Sequence, residues 1–426
     1  MSKFQIILLS VFGFFIVIGV VMFALYRGSS GGSVPMTIWG DIPLHEFSQL
    51  VNTPAFTQDQ SFSLSYVEKR ADTIETEFTE ALAEGTGPDL VILTTDKFWK
   101  NKPKLVAIPY ASLSERSFKT IFVEEGELFL DPTGVYALPI SVDPLVLYYN
   151  RDLLSAAGQA QPMKFWDEIY AASFNLSKSD AAGNLITSVM ALGEARNIPN
   201  YKDILSLLML QAGTPITAFV NGGLASQISN NFSLPISPAE SSLDFYTQFS
   251  NPTKTYYSWN RSLIDARTHF TSGDSAYYIG LASEFRILKN KNPNLNFGVA
   301  LVPQSRVSGK TVTFGHLRGI AISRGSKSPG TALNVATKLI SKESALKLSE
   351  LLYLPPPQRD LLIEKPNDAT LSIFYDAALQ SKGWLDPDST RTGVIFTDAI
   401  ESISSGRART FDAVSKMSKE VDILIK

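Results

Sequence analysis

Two hydrophobic periods alternate along the first third of the chain. "VPMTIWG" (34–40) is an apolar run closed by glycine, and "FSLSYVEK" (62–69) alternates apolar and polar positions, so both predict strands. "LHEFSQLVN" between them predicts a short helix. From a cap at Asp72 or Thr73, the apolar residues Ile74, Phe78, Ala81 and Leu82 recur at helical spacing until Gly85 and Gly87 stop the pattern. "PDLVILT" follows as a buried strand, and strand, helix, strand predicts a parallel sheet with helices on its faces. Later segments repeat the style, with "AYYIG", "FGVALVP" and "GIAIS" as strands and "TALNVATKLISKESALKLSELL" and "FTDAIESISSG" as helices. No internal repeat interrupts this order.

One stretch breaks the pattern. "YALPISVDPLVLYYNRDLL" (136–154) is a continuous apolar strand with Asp143 and Pro144 in its middle. A buried acid without a partner costs several kcal/mol, and proline removes a donor from the ladder.

Open parallel sheets bind ligands beyond the carboxyl ends of their strands. Trp39-Gly40-Asp41 and Thr94-Thr95-Asp96-Lys97 occupy such ends, which shortens the list of functional candidates.

The N-terminus adds a different element. Residues 4–26 carry no charge, with Lys3 before them and Arg27 after. At about 1.5 Å per residue they make a helix of roughly 35 Å, enough to cross a hydrocarbon core of about 30 Å. The run is long for a signal-peptide core, and "ALYRGSS" lacks a small-x-small cleavage site, which favours an uncleaved anchor over a cleaved signal peptide. Lys3 favours a cytoplasmic N-terminus and so an extracytoplasmic remainder. "RGSSGGSVP" reads as a flexible tether.

A chain of 426 residues implies two or more domains. With a formal net charge of -3 and no Lys/Arg cluster, it offers no basic field for nucleic acid. Cysteine is absent, which excludes thiolate metal sites, thiol nucleophiles and disulfides; a lipoprotein signal is excluded as well. His45, His269 and His316 are far apart and outside HExxH spacing. No metal or cofactor is expected.

Four blocks now carry a resemblance: "YVEKRADTIETEFTEALAEGTGPDLVIL", "YALPISVDPLVLYYNRDLLSAAGQAQPMKFWDEI", "FTSGDSAYYIG" and "GIAISRGSKSPGTALNVATKLISKESALKLSE". In this order they resemble the landmarks of the extracellular solute-binding proteins of ABC transporters, in the group that contains the maltose-binding protein. The likeness runs from about residue 36 to the C-terminus. It implies an α/β, two-lobed periplasmic-binding-protein (Venus flytrap) fold with hinge strands, preceded here by the transmembrane helix. The expected organisation is an anchor at 1–27 and a tether at 28–35. Lobe one is expected at 34–142 and 298–345, and lobe two at 143–297 and 346–426. Asp143 and Pro144 then fall where the strand crosses between lobes.

The resemblance also implies binding positions, each with a plainer alternative. Trp39 and Asp41 match positions that contact ligand: an indole offers an apolar face to a sugar ring and a carboxylate accepts hydroxyl hydrogen bonds. Alternatively Trp39 is core and Asp41 a helix cap. Asp96 and Lys97 fall where the family delivers polar ligand contacts, although Asp96 can equally cap "KFWKN". Asp143 faces the cleft or forms an ion pair across the hinge. Trp259 in "YYSWN" and Trp384 in "KGWLD" are stacking platforms or hinge-side packing, while Trp166 in "KFWDEI" matches structural packing. "YYIG" continues as "LASEF" where many sugar binders have tryptophan, a departure from maltose-like stacking. Arg318 in "FGHLRGIAIS" either holds an acidic group of the ligand or pairs with an acid of lobe two.

The implied mechanism is binding without chemistry. A small polar solute, a sugar by resemblance, stabilises the closed state by touching both lobes, and permease subunits of the transporter recognise that state. Two rival classes share the cleft. A membrane-tethered glycosidase would use two carboxylates about 5 to 10 Å apart, though no GxSxG elbow, P-loop or metal cluster accompanies them. A sensing domain would use the same closure to signal to a membrane partner.

Overall fold

A computed structural model describes residues 33–306 and 309–426; the expected anchor and most of the tether lie outside them. Among the described residues no helix is long and apolar enough to cross a membrane.

The first α/β half follows the predicted order. Strands β1 (Val34–Gly40), β2 (Phe62–Glu68) and β3 (Leu90–Thr94) are parallel, with β1 in the centre. Helix α1 (Ile74–Glu84) buries Ile74, Phe78 and Ala81. It ends at Gly85, whose φ of 73° lies in the left-handed region where a Cβ is disfavoured. Thr73 precedes the helix without capping it; its hydroxyl donates to Glu77 instead, at 2.6 Å. Helix α2 (Thr95–Asn101) starts directly at the end of β3, so its first residues stand at the sheet's carboxyl edge.

The anomalous stretch forms one strand, β4 (Leu138–Asn150), buried along nearly its whole length. Up to Pro144 it pairs antiparallel with a second long strand, β7 (Thr313–Ser323): Ser141 lies opposite Arg318, Asp143 opposite His316 and Pro144 opposite Gly315. From Leu145 onward β4 pairs antiparallel with β5 (Ser275–Leu281), and Leu147–Asn150 also pair with β6 (Phe297–Ala300). The strand therefore changes neighbours between Pro144 and Leu145. Pro144 lacks an N–H to donate, and its carbonyl is used, accepting from the Ala282 amide at 2.9 Å.

Beyond Arg318, β7 pairs antiparallel with β3, so β4 and β7 together join the two halves into one continuous sheet. Each half has its own aromatic core. In the first, Phe98 and Phe129 meet edge-on at 5.0 Å. In the second, the rings of Tyr148, Phe270, Tyr278 and Phe297 lie between 5.7 and 6.5 Å apart.

Alternation along β7 sends odd and even residues to opposite faces. Gly315 and Gly319 face the short helical segment Glu124–Phe129. A Cβ on Gly319 would stand 2.6 Å from the buried Phe129 ring and 2.9 Å from Ala137, and one on Gly315 would meet Ser381 and Glu125. His316 and Arg318 face the other way. Gly319→Ala is therefore expected to overpack the joint and lower unfolding free energy by about 1–3 kcal/mol. Chemical denaturation checks this; unchanged stability would mean that the strand moves aside freely.

Candidate functional site

Phe314, His316 and Arg318 alternate onto one face of β7, and the register sets Ser141 and Asp143 of β4 beside them on the same face. Four further segments deliver side chains to this patch. The loop after β1 brings Asp41, whose carboxylate accepts three hydrogen bonds from the Arg318 guanidinium at 3.1–3.2 Å. Tyr66 on β2 steadies that loop by donating to the Ile42 carbonyl at 2.6 Å. The first turn of α2 brings Thr95 and Asp96. Helix α3 (Tyr201–Ala212), in the second half, carries Lys202 and Asp203 in its first turn, and the segment 384–386 brings Trp384 and Asp386.

His316 stands between the halves. Its Nε2 is 3.1 Å from Asp203 and its Nδ1 is 3.7 Å from Asp96. Burial works against a charge on the ring, but Asp203, Asp96 and Glu125 outweigh it and push the His316 pKa up to about 10. Burial raises Asp96 too, yet the His316 and Lys202 charges prevail and hold it below its ordinary value. The pair thus carries opposite charges at neutral pH. Lys202 bonds to Asp386 and to Thr392 Oγ1 at 2.8 Å, with its Nζ 5.4 Å from the Trp384 ring centroid. Burial nonetheless pushes the Asp386 carboxyl upward.

Asp143 is buried, and its Oδ1 accepts the Ser283 amide at 2.9 Å. Burial raises its pKa against the opposing pull of Arg318 and that amide. Carboxylates outnumber cations here: Asp41, Asp96, Asp143, Asp203 and Asp386 face Arg318, His316 and Lys202. The space left among Asp96, Asp203, His316 and Trp384 is about 10 Å³, at most one water. The face is closed on its own side chains, and Lys100 of α2 adds an ion pair to Asp388, 2.9 Å away beside the second half's Asp386.

The expected positions divide. Asp41, Asp96, Asp143, Arg318 and Trp384 come together around the joint. Arg318 is engaged by Asp41 of its own half rather than by an acid of the second half. The Trp384 indole donates to Ser206 at 3.2 Å and stacks on Phe396. Lys97 turns away and bonds the Ala71 carbonyl. Trp39 is half-buried, with Lys69 Nζ 4.0 Å from its ring centroid. Trp259 is fully enclosed: its N–H donates to Asn197 at 3.0 Å and its ring meets His269 edge-on. Trp166 is core packing, donating to Gln211 at 2.6 Å.

Lys202, Asp203, His316 and Asp386 were not among the expected residues. A signal existed for His316, because Phe314, His316 and Arg318 sit at strand spacing in "FGHLRG". "NYKD" at the head of an apolar helical run gave a weaker one.

Two α/β halves joined by shared strands, with charged side chains of both converging at the joint, define a two-lobed binding protein. The chain belongs to the bacterial extracellular solute-binding proteins, whose family model matches residues 53–367. It is similar to binding proteins of Brucella abortus (strain 2308) and Brucella suis biovar 1 (strain 1330). Each is 24% identical over 418 residues, covering 96% of this chain and 97% of the relative. Among solved structures it is similar in fold to a cyclo/maltodextrin-binding protein complexed with maltotetraose. There the TM-score is 0.75 at 18% identity, over 93% of this chain and 99% of the other. It is similar also to an ABC transporter solute-binding protein from Thermotoga lettingae bound with alpha-D-tagatose. That TM-score is 0.69 at 18% identity, over 92% and 100%.

A raised histidine pKa stabilises the folded, bridged state below the ordinary value of 6.5 and ceases to do so as pH rises through about 10. NMR titration of the His316 ring is expected to show a midpoint near 10, and Asp203→Asn to bring it down by about one unit or more. A midpoint near 6.5 in the unaltered protein would contradict the bridge.

Proposed function

We propose that this protein captures a small, neutral polyhydroxyl solute, a carbohydrate, between its lobes outside the cytoplasm and delivers it to the permease of an ABC importer. The observation that carries the reading is the joint itself, where α2 and α3 bring Asp96 and Asp203, one from each lobe, to His316 on β7. Carboxylates are strong acceptors for sugar hydroxyls, and Trp384 offers an indole beside them. The names of the structural neighbours, which hold maltotetraose and tagatose, support the solute class.

An acidic solute fits poorly. Arg318 is already committed to Asp41, so a carboxylate or phosphate entering the patch would meet Asp96, Asp143 and Asp203 without a free guanidinium. Solute entry requires the lobes to part, because the patch is closed in this conformation. The solute's hydroxyls then replace the Asp96–His316–Asp203 bridge, and the population shifts toward the form that the permease recognises. In this reading the lobes exchange at Pro144/Leu145 and along residues 313–318. Strand β6 belongs to lobe two because it is paired with Leu147–Asn150. The apolar run at residues 4–26 holds the lobes at the membrane and the tether lets them reorient.

A thermal-shift screen of neutral oligosaccharides against their uronic acid counterparts tests the solute class. The neutral sugars are expected to raise the melting temperature and the acids to leave it unchanged; a response confined to the acids overturns the assignment. Asp143→Asn keeps an acceptor for the Ser283 amide, so it is expected to weaken solute binding about tenfold, or about 1.4 kcal/mol, with a much smaller effect on folding. Calorimetry and denaturation read the two effects separately, and equal losses in both would make Asp143 structural.

A further inference from the structure

The opposite face of the joint holds a larger space. It is bounded by the segment Glu124–Phe129 of the first half, which Gly315 and Gly319 face, and by α3 and the hairpin Thr217–Val220/Gly223–Ser226 of the second. It encloses about 710 Å³, within the size range of small-molecule sites. Leu128, Leu210, Phe219 and Trp384 form apolar walls. It lies behind β7 relative to His316 and Arg318 and shares Trp384 with the patch proposed for the solute.

Its polar groups are unevenly matched. Lys382 is held by Glu124 at 2.7 Å and Glu127 by Lys119 at 3.2 Å. Glu125, 2% exposed, accepts from two hydroxyls, Thr95 at 3.3 Å and Ser381 at 2.5 Å. Thr214 also lines the space; it is fully buried and its Oγ1 has no hydrogen-bond partner. A buried hydroxyl left without a partner is costly, and a ligand N–H would satisfy it.

We propose that this cavity is a second binding site, for a small organic cation with an apolar body. The ammonium sits against Glu125, with Thr214 as a further acceptor along the wall, and the body packs between Leu128, Leu210, Phe219 and Trp384. Burial, with Asp143 adding to it, pushes the Glu125 carboxyl up to about 7, against the Ser381 and Thr95 hydroxyls and the His316 charge. Lys310, Lys382, Glu124 and Glu127 are the remaining charged groups around the cavity. A bound cation favours the carboxylate, so binding near pH 7 releases a proton to the buffer.

Isothermal titration of the full-length protein with phenethylammonium and with its neutral analogue 2-phenylethanol, in phosphate and in HEPES at pH 7, tests the proposal. Phenethylammonium is expected to bind saturably, at least tenfold more tightly than the alcohol, with a heat that differs between buffers in the sense of proton release. Glu125→Gln is expected to weaken it at least tenfold and to abolish the buffer difference. Phe219 is half-exposed at the hairpin, so Phe219→Ala leaves folding intact and is expected to weaken binding at least threefold. Absence of saturable binding, equal affinity for the alcohol, or undiminished binding in Phe219→Ala would each overturn the proposal.

Discussion

The antiparallel pairing of β4 with β7 is the constraint on which the rest of the molecule depends. Each strand begins among the partners of one half and ends among those of the other, so the halves share a sheet instead of meeting through a linker. A shared sheet fixes which residues face which side along the joint. It also limits relative motion of the halves to bending and twisting of these strands, a hinge in the ordinary structural sense.

That constraint explains why charge concentrates where it does. On one face, Ser141, Asp143, His316 and Arg318 stand side by side because the register permits nothing else, and acids from the strand and helix ends of both halves close over them. Removing so many charges from water is expensive unless each is matched. Asp41 with Arg318, Asp386 with Lys202, and Asp96 and Asp203 with His316 provide that matching. The imidazolium takes an acid from each half, and it ties electrostatics to closure. On the other face glycines let the Glu124–Phe129 segment approach the strands, leaving a cavity whose deepest acid, Glu125, also feels the His316 charge.

Much of the architecture was legible from hydrophobic period alone. The runs that became β1, β2, β3 and α1 have unambiguous spacing, and the breach at Asp143 and Pro144 marked the place where β4 changes neighbours. The site was less so. Asp41, Asp96, Asp143, Arg318 and Trp384 converge, but Trp259 and Lys97 do not, because a tryptophan or a lysine in a loop carries no mark of the direction in which it points. His316 lies outside any metal-ligand spacing, and its meaning lies in strand alternation beside Arg318. Glu125 and Asp203 are ordinary residues of short helical segments; only the tertiary arrangement brings them to the joint. The second boundary between halves was expected near residue 298. The pairing of β6 with Leu147–Asn150, which no local pattern encodes, is what argues for moving it to β7.

His316, held between Asp96 and Asp203, keeps the two lobes together. The sequence has no cysteine, so spin labels introduced at the exposed positions Glu80 and Asp180 report one inter-lobe distance without background. Double electron–electron resonance on the solute-free protein at pH 7 should show a short-distance population beside a longer one, and Asp203→Asn should move weight from the short population to the longer one. An identical distance distribution in the two proteins would show that the bridge does not hold the lobes together.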